Sequence, residues 1–418
     1  MSEDVLLTGI RLFVVFVTLA ALVGLVIRRV AVPYSVALVA AGLAVAFLVP
    51  GLQPDVTPEL VLVVLLPGLV FEASIRIDLL ALRRSVGGVA LLAGPGVVIG
   101  ALVVALVLNL GTGLPMELGF IVGAMVAATD PAAVVATFKR LGVPRRLAAM
   151  TEGESLFNDG TGLVLFALAL EALDMTITAA HVIETLVLTI AISLVIGLIA
   201  GWIASRVLAT VEDHLLELTI SVSAAYGTYL LADAFHESGI IATVIAGIVI
   251  GNYGRRVGIS PRAAEALDTV WEFVAFLLTA LVFMLVGLSM ELSSLLDALP
   301  WIAWGIAGVL IARIVVVYGM LGSVWWLGRT LRGTHQDVHR GWLRVLFWSG
   351  LRGAVAVAMA LSLPRSVPQR DLLLEITFGV VLFTLVVQGM TIEPLVRRWV
   401  RRDPQDQPGE GPASAPAV

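Results

Sequence analysis

Long apolar segments follow one another through almost the whole of this sequence. A helix needs roughly 20 apolar residues to cross the hydrocarbon core of a bilayer. With that length as a ruler, the sequence predicts thirteen transmembrane helices, near residues 5–27, 34–49, 59–82, 87–109, 116–140, 145–171, 181–205, 215–233, 238–251, 264–289, 298–327, 341–361 and 372–396. The expected fold class is an all-α polytopic membrane protein.

The composition excludes several functional classes. Hydrophobic residues make up 59% of the chain and charged residues only 14%, whereas soluble proteins average about 25% charged residues. The segments between the spans are too short for a soluble catalytic domain, so an enzyme is not expected. The formal net charge of −5 argues against nucleic acid as a partner. The chain has no cysteine, which removes thiolate metal sites and Cys nucleophiles, and no cofactor is expected.

The distribution of basic residues predicts the orientation in the membrane. When the loops are assigned alternately to two sides, 21 of the 26 Lys and Arg fall on one side and only Arg365 and Arg370 on the other. The remaining three, Arg11, Arg313 and Arg352, lie inside spans. Because basic loops face the cytoplasm, the C-terminus is predicted to be cytoplasmic and the N-terminus outside a cell membrane. Residues 403–418, rich in proline and small residues, are predicted to be a disordered tail.

Two spans carry helix-breaking clusters near their middles. The fifth contains Thr129-Asp130-Pro131, where the proline removes a backbone donor and disfavours helical geometry at the residue before it. The twelfth contains Ser349-Gly350-Leu351-Arg352-Gly353. The two spans are seven apart, as expected if helices 1–6 and 8–13 are inverted repeats. Discontinuous helices at matching positions of two inverted halves indicate the ion site of a secondary transporter.

Ionisable residues at bilayer depth are costly and need partners. Those near the middle of the predicted spans are four carboxylates, Glu72, Asp130, Glu154 and Asp159, and one cation, Arg352. The excess of negative charge requires protons or metal cations to balance it. Ser155 and Asp159 are four residues apart and share one face of the sixth helix. Arg313 lies in the eleventh span, where it can snorkel to the headgroups or pair with a carboxylate.

The oxygen atoms available near the midplane suit a hard monovalent cation. The predicted ligands of this cation are the carboxylates of Asp159 and Glu72, the hydroxyl of Ser155 and the main-chain carbonyl of Thr129. Protons can fill the same place, so a proton and a cation compete for Asp159, and such competition at an alternately exposed site is exchange.

The remaining midplane groups are assigned supporting roles. Asp130 is expected to offset the partial positive charge of two half-helix N-termini. Arg352 is expected to pair with Glu154, and Asn158 to donate a hydrogen bond to Glu72 or Asp159.

Several motifs together resemble the monovalent cation:proton antiporters, and within them the Na+/H+ exchanger subfamily with an Asn-Asp motif. They are LLPGLVFEAS around Glu72, TDP at 129–131, EGESLFND at 152–159, AGIVIGNYG at 246–254, FLLTALVFMLVGLSM at 276–290 and GLRGAVAVA at 350–358. The resemblance implies that Asp159 binds the ion and the proton, with Glu72, Ser155 and the Thr129 main chain as further ligands. It also implies a buried Glu154–Arg352 pair and, because Asn158 precedes Asp159, electroneutral exchange of one cation for one proton.

The resemblance further implies a division of residues 1–402 into two domains. Core helices are expected at about 87–171 and 298–396, with crossed, unwound helices 5 and 12, and interface helices at about 5–82 and 181–289. The interface helices would form a homodimer, and the core would move like an elevator.

Three alternatives to Na+ (or Li+)/H+ antiport remain. The same oxygens would serve K+ in a slightly wider cavity, giving K+/H+ exchange. A cation channel needs a continuous pore and a filter motif, and no repeated filter motif is present. An intramembrane protease using Asp130 and Asp159 is disfavoured, because neither residue lies in a Gly-x-Gly-Asp sequence.

Overall fold

The computed structural model describes residues 3–27, 33–48, 60–174, 178–211, 213–289, 292–326 and 340–400. Every regular element in these ranges is a helix, which confirms the predicted all-α class. Eight helices of the described part are long and apolar enough to cross a membrane, and four shorter apolar helices accompany them. The predicted tail at 403–418 lies outside the described residues.

A helix, or a series of helical segments, lies over each predicted span. In chain order they are α1 (Glu3–Ile27), α2 (Tyr34–Leu48), α3 (Leu60–Leu65 and Leu66–Ile75), α4 (Leu79–Ala93 and Pro95–Thr112), α5 (Met116–Met125 and Ala132–Leu141), α6 (Arg145–Asp174), α7 (Ala179–Leu208), α8 (His214–Ala234), α9 (Gly239–Val249, Ile250–Gly254 and Arg255–Val257), α10 (Pro261–Ser289), α11 (Leu299–Arg313 and Ile314–Leu321), α12 (Arg340–Trp348 and Ala354–Leu361) and α13 (Arg370–Phe383, Thr384–Gln388 and Gly389–Trp399). The segments Leu60–Leu65, Ile250–Gly254, Ile314–Leu321 and Thr384–Gln388 are π-helical.

The boundary between the third and fourth spans differs from the prediction. The third was expected to run to residue 82 and the fourth to begin at 87, but α3 ends at Ile75 and α4 begins at Leu79. Asp78 explains the difference, because its carboxylate accepts hydrogen bonds from the backbone N–H groups of Leu80 (2.9 Å) and Ala81 (3.1 Å). Such a side chain satisfies amides that the first helical turn leaves free, so a new helix starts here.

Helix α4 is interrupted at Gly94, directly before Pro95. Proline cannot donate a backbone hydrogen bond and kinks a helix. The hydroxyl of Thr161 on α6 donates to the Ala93 carbonyl at a distance of 2.6 Å. One polar side chain thus supports the kink and holds α4 against α6.

The helices pack in two sets. In one, α2 packs on α10, and α9 packs on α3, α7 and α8. In the other, α4 packs on α5, α6 and α11, and α11 packs on α13.

Within the first set, α2 and α10 meet at a glycine seam, formed by Gly42 and Gly287. A Cβ atom on Gly287 would lie against the Val39 carbonyl oxygen, 2.7 Å from the Leu43 nitrogen and 3.0 Å from the Gly42 carbonyl carbon. Main chain therefore touches main chain at the seam.

Substituting the seam should destabilise the protein. Gly287→Ala places a methyl group against the backbone of α2, and overpacking of this kind costs about 1–3 kcal/mol. Gly227→Ala in α8 is the matched control, because a Cβ atom there meets nothing within 4 Å and alanine favours a helix. Thermal unfolding of the detergent-solubilised variants should show a lower transition temperature for Gly287→Ala alone. Equal transition temperatures would contradict the packing at the seam.

Candidate functional site

The two predicted helix breaks meet inside the protein. Helix α5 is unwound between Met125 and Ala132, and α12 between Trp348 and Ala354, as predicted. The backbone N–H of Asp130 in the first break donates to the Leu351 carbonyl in the second at 2.8 Å. A Cβ atom on Gly353 would collide with the Asp130 side chain, so glycine is what allows this approach. The breaks supply one another with hydrogen-bond partners.

Helix α6 fastens the break in α5 through one residue, Thr129. The Asn158 side chain accepts from the Thr129 backbone N–H (3.2 Å) and donates to the Thr129 hydroxyl (2.8 Å). The Ser155 hydroxyl donates to the Thr129 carbonyl. Asn158 was predicted to bond Glu72 or Asp159; it bonds the break instead, because both of its hydrogen-bonding atoms face freed main-chain and hydroxyl groups.

Asp159 lies one turn beyond Ser155 on α6 and is 8% exposed. Its Oδ1 atom is buried without a hydrogen-bond partner among the described residues. The charged side chain that interacts with it electrostatically is Asp130. Buried acceptors are almost always paired, so this oxygen is a candidate to receive a proton or a cation. Ser155 and the Thr129 carbonyl, two of its three predicted fellow ligands, lie together beside it.

The ion pair to Glu154 comes from Arg313 rather than from Arg352. Nη1 of Arg313 bonds Oε1 of Glu154, and Nη2 donates to the Leu346 carbonyl in the first half of α12. Both side chains are less than a tenth exposed. A Cβ atom on Gly350 would lie 2.8 Å from Nε of Arg313. The guanidinium therefore rests on the break in α12, which settles the role that the sequence left open for Arg313.

Arg352 is directed to its own segment of main chain. Its Nη1 atom donates to the Gly350 carbonyl at 2.8 Å, and its backbone N–H donates to the Thr384 hydroxyl at 3.0 Å. It still interacts electrostatically with Arg313 and Glu154. The predicted Glu154–Arg352 ion pair is therefore wrong. Arg313 forms the ion pair with Glu154, and Arg352 interacts with both residues electrostatically.

Glu72 is not joined to Asp159 in the described structure. Its carboxylate pairs with Arg76, one turn further along α3, at 3.2 Å. Its other charged neighbours are Glu272, Lys139 and Asp268. The spacing of Glu72 and Arg76 is the i,i+4 spacing of helical ion pairs, a signal that the sequence contained and the prediction did not use.

The charged side chains of the site form two neighbouring groups. Asp130 and Asp159 interact electrostatically with one another, and Glu154 interacts with Arg313 and Arg352. Burial of a net charge is unfavourable, so a proton or monovalent cation at Asp159 would reduce the negative charge of the first group. No group of three or more His, Asp or Glu that could hold a resident metal ion occurs in the described part of the chain.

Comparison with known proteins identifies the class of transporter. The family described as sodium/hydrogen exchanger, transmembrane, matches residues 15–398. The chain belongs to this family. The predicted resemblance is confirmed, and the exchanger is a secondary transporter rather than an enzyme.

Relatives and a solved structure agree with this assignment. The exchanger is 37% identical over 368 residues to the low-affinity Na+/H+ antiporter NhaS1 of Synechocystis sp., covering 87% of this chain and 68% of the relative. It is 33% identical over 413 residues to the Na+/H+ antiporter NhaH of Halobacillus aidingensis, covering 95% of this chain and 98% of the relative. The structure of the sodium proton antiporter MjNhaP1 from Methanocaldococcus jannaschii at pH 8 has the same fold, with a TM-score of 0.78 at 19% identity over 94% of this chain and 99% of that one.

Breaking the Arg313–Glu154 pair should destabilise the exchanger strongly. Arg313→Met leaves a buried carboxylate without its partner, which costs about 3–5 kcal/mol. Arg397→Met is the control, because it breaks an exposed pair with Glu393, worth about 1 kcal/mol or less. Denaturation in detergent should rank the variants in that order. Adding Glu154→Gln to Arg313→Met should recover part of the loss, and no recovery would contradict the pairing.

Proposed function

We propose that this exchanger carries Na+ (or Li+) and H+ in opposite directions by binding them in turn at Asp159. The observation that carries the proposal is the buried Oδ1 atom of Asp159, which lacks a partner among the described residues. It lies one helical turn from the Ser155 hydroxyl, which is bonded to the Thr129 carbonyl. Carboxylate, hydroxyl and carbonyl oxygens are the ligands that hard cations take, and a carboxylate also takes a proton.

The charge of the site supports one cation for one proton. Arg313 pairs with Glu154, which takes that carboxylate out of the exchange. At the Oδ1 atom of Asp159, which lacks a hydrogen-bond partner among the described residues, either a proton or a monovalent cation balances one negative charge. A site with equal charge in both loaded states carries the same charge in each direction, so exchange is electroneutral and is not driven by membrane potential. Asn158 supports this count because it occupies its position without adding charge.

The fourth proposed ligand, Glu72, requires a change of partner. Its carboxylate is bound to Arg76, which also bonds the Asp268 carbonyl (2.7 Å) and Glu272 (3.2 Å). Arg76 thus has alternative acceptors on α10 if Glu72 leaves it. We propose that Glu72 completes the sodium site in the conformation in which α6 approaches α3.

The two sets of helices support alternating access. We propose that the set containing α4–α6 and α11–α13 is the mobile core, and that α1–α3 and α7–α10 form an interface domain that holds two copies together as a homodimer. The excess of basic loop residues on one side supports a cytoplasmic C-terminus and an external N-terminus. Exchange requires no cofactor beyond the transported ions.

Removing the carboxylate should abolish exchange without unfolding the protein. Asp159→Asn removes the carboxylate that would take the proton or the cation, so sodium-driven proton movement in proteoliposomes should fall to the level of empty vesicles. Asp371→Asn is the matched control, because the Asp371 side chain is 90% exposed. The transition temperature of Asp159→Asn should be no lower than that of the unaltered protein. Retained exchange in this variant would place the ion site elsewhere.

Collapsing the membrane potential distinguishes the stoichiometries. In vesicles with an imposed sodium gradient and an internal pH dye, an ionophore that collapses the potential should leave the initial rate unchanged. Strong stimulation by the ionophore would show electrogenic transport and contradict one-for-one exchange. Repeating the assay with Li+ and K+ gradients ranks the cations, and a rate with K+ above that with Na+ would favour K+/H+ exchange.

A further inference from the structure

The end of α3 is fixed to α9 by direct main-chain packing. A Cβ atom on Gly251 would collide with the Ile75 carbonyl, and one on Gly247 would collide with the Ser74 side chain. The two glycines are one helical turn apart, so a strip of α9 without side chains lies against the last turn of α3. These helices form one unit as far as Ile75.

The next helix, α4, is fixed to α6, the helix of the proposed ion site. Helix α4 begins at Leu79 and packs along α6, where a Cβ atom on Gly153 would touch the Leu82 and Val89 side chains. Only residues 76–78 separate the helix fixed to α9 from the helix fixed to α6, which carries Asp159. Any movement of the ion site relative to α9 must therefore bend this three-residue linker.

One side chain bonds both the middle of that linker and the first residue of α4. Asn252 lies in the π-helical turn of α9, and its Oδ1 atom accepts from the Leu79 backbone N–H at 3.2 Å. Its Nδ2 atom donates to the Ile77 carbonyl at 3.1 Å and to the Ile248 carbonyl of its own helix at 2.9 Å. The oxygen and the nitrogen of the Asn252 amide are thus both bonded to main-chain groups. The π-helical turn that carries Asn252 is of a kind that is frequent at functional positions.

We propose that Asn252 is a positioning residue for transport, whose amide makes the 76–78 linker the pivot between α9 and the α4–α6 pair. The inference rests on the proposed alternating access at Asp159. Asn252 touches neither ion; it fixes the point about which the site moves. The Asn252 amide bonds the linker backbone and the first residue of α4. It therefore keeps the pivot next to α9 while the rest of α4 rotates.

The matched control is Asn109, which also uses its amide on main chain but not across the linker. Its Nδ2 atom donates to the Leu114 carbonyl at 2.8 Å, at the turn that follows α4. Asn252→Ala and Asn109→Ala therefore each remove an amide that bonds a backbone carbonyl. They differ in whether the bond spans the proposed pivot.

The test combines transport, binding and local exchange on the full-length protein. In sodium-gradient proteoliposomes, Asn252→Ala should lower the maximal exchange rate roughly tenfold while changing the apparent KM for Na+ less than about twofold, because the ion site itself is intact. Hydrogen–deuterium exchange should accelerate at residues 77–80. Asn109→Ala should leave the exchange rate within about twofold of the unaltered protein. Asn252→Asp keeps an acceptor for Leu79 and loses the donors, so its rate should lie between those of Asn252→Ala and the unaltered protein.

Three results would overturn the inference. The first is accelerated hydrogen–deuterium exchange at residues 77–80 with an unchanged transport rate, which would show that the Asn252 bonds do not govern movement. The second is an equal loss of rate in Asn109→Ala. The third is a loss of rate in Asn252→Ala that follows the transition temperature and KM together, which would show a structural role only. If the unaltered protein moves no protons when sodium is imposed, the proposed function fails and the inference fails with it.

Discussion

Within a bilayer, every backbone polar group must find a partner inside the protein, and two helices that unwind at the same place must meet this requirement without helical hydrogen bonds. The N–H of Asp130 and the carbonyl of Leu351 satisfy each other across the two breaks. Side chains supply the remaining partners: Ser155 and Asn158 serve Thr129. These polar side chains are in the membrane interior because unwound main chain is there, and a cation can use the same oxygens. The local loss of helix and the proposed binding of an ion both arise from the same interruption.

The buried charges of the same region also need partners, and Arg313 supplies one. Arg313 comes from α11 and bonds both Glu154 on α6 and the Leu346 carbonyl on α12. Three helices are joined by one guanidinium. In the proposed exchange, the carboxylate that it contacts takes no part in proton exchange, and the exchangeable charge is left at Asp159. The bond of Arg313 to Glu154 would then bear on both stability and stoichiometry.

The sequence was sufficient for the spans, the breaks and the buried carboxylates, because each depends on local composition: apolar length, Pro131 and a charge far from water. It was insufficient for partners across helices. Arg313 and Arg352 are both buried cations, and which one meets Glu154 depends on how α11 and α12 are rotated, which one sequence does not determine. The start of α4 was mislocated although Asp78 offered a helix-capping signal. The AGIVIGNYG motif contains Asn252 but does not indicate its role, since its three main-chain bonds depend on a π-helical turn that periodicity does not reveal.

The glycine seam between α2 and α10 has a mechanical consequence. Where main chain lies against main chain at Gly42 and Gly287, there are no side-chain rotamers to rearrange, so the two helices cannot slide or roll by repacking. Any shift of one helix at this point therefore carries the other with it. In the proposed transport cycle, α2 and α10 would stay together with the helices that do not carry Asp159 while α6 moves.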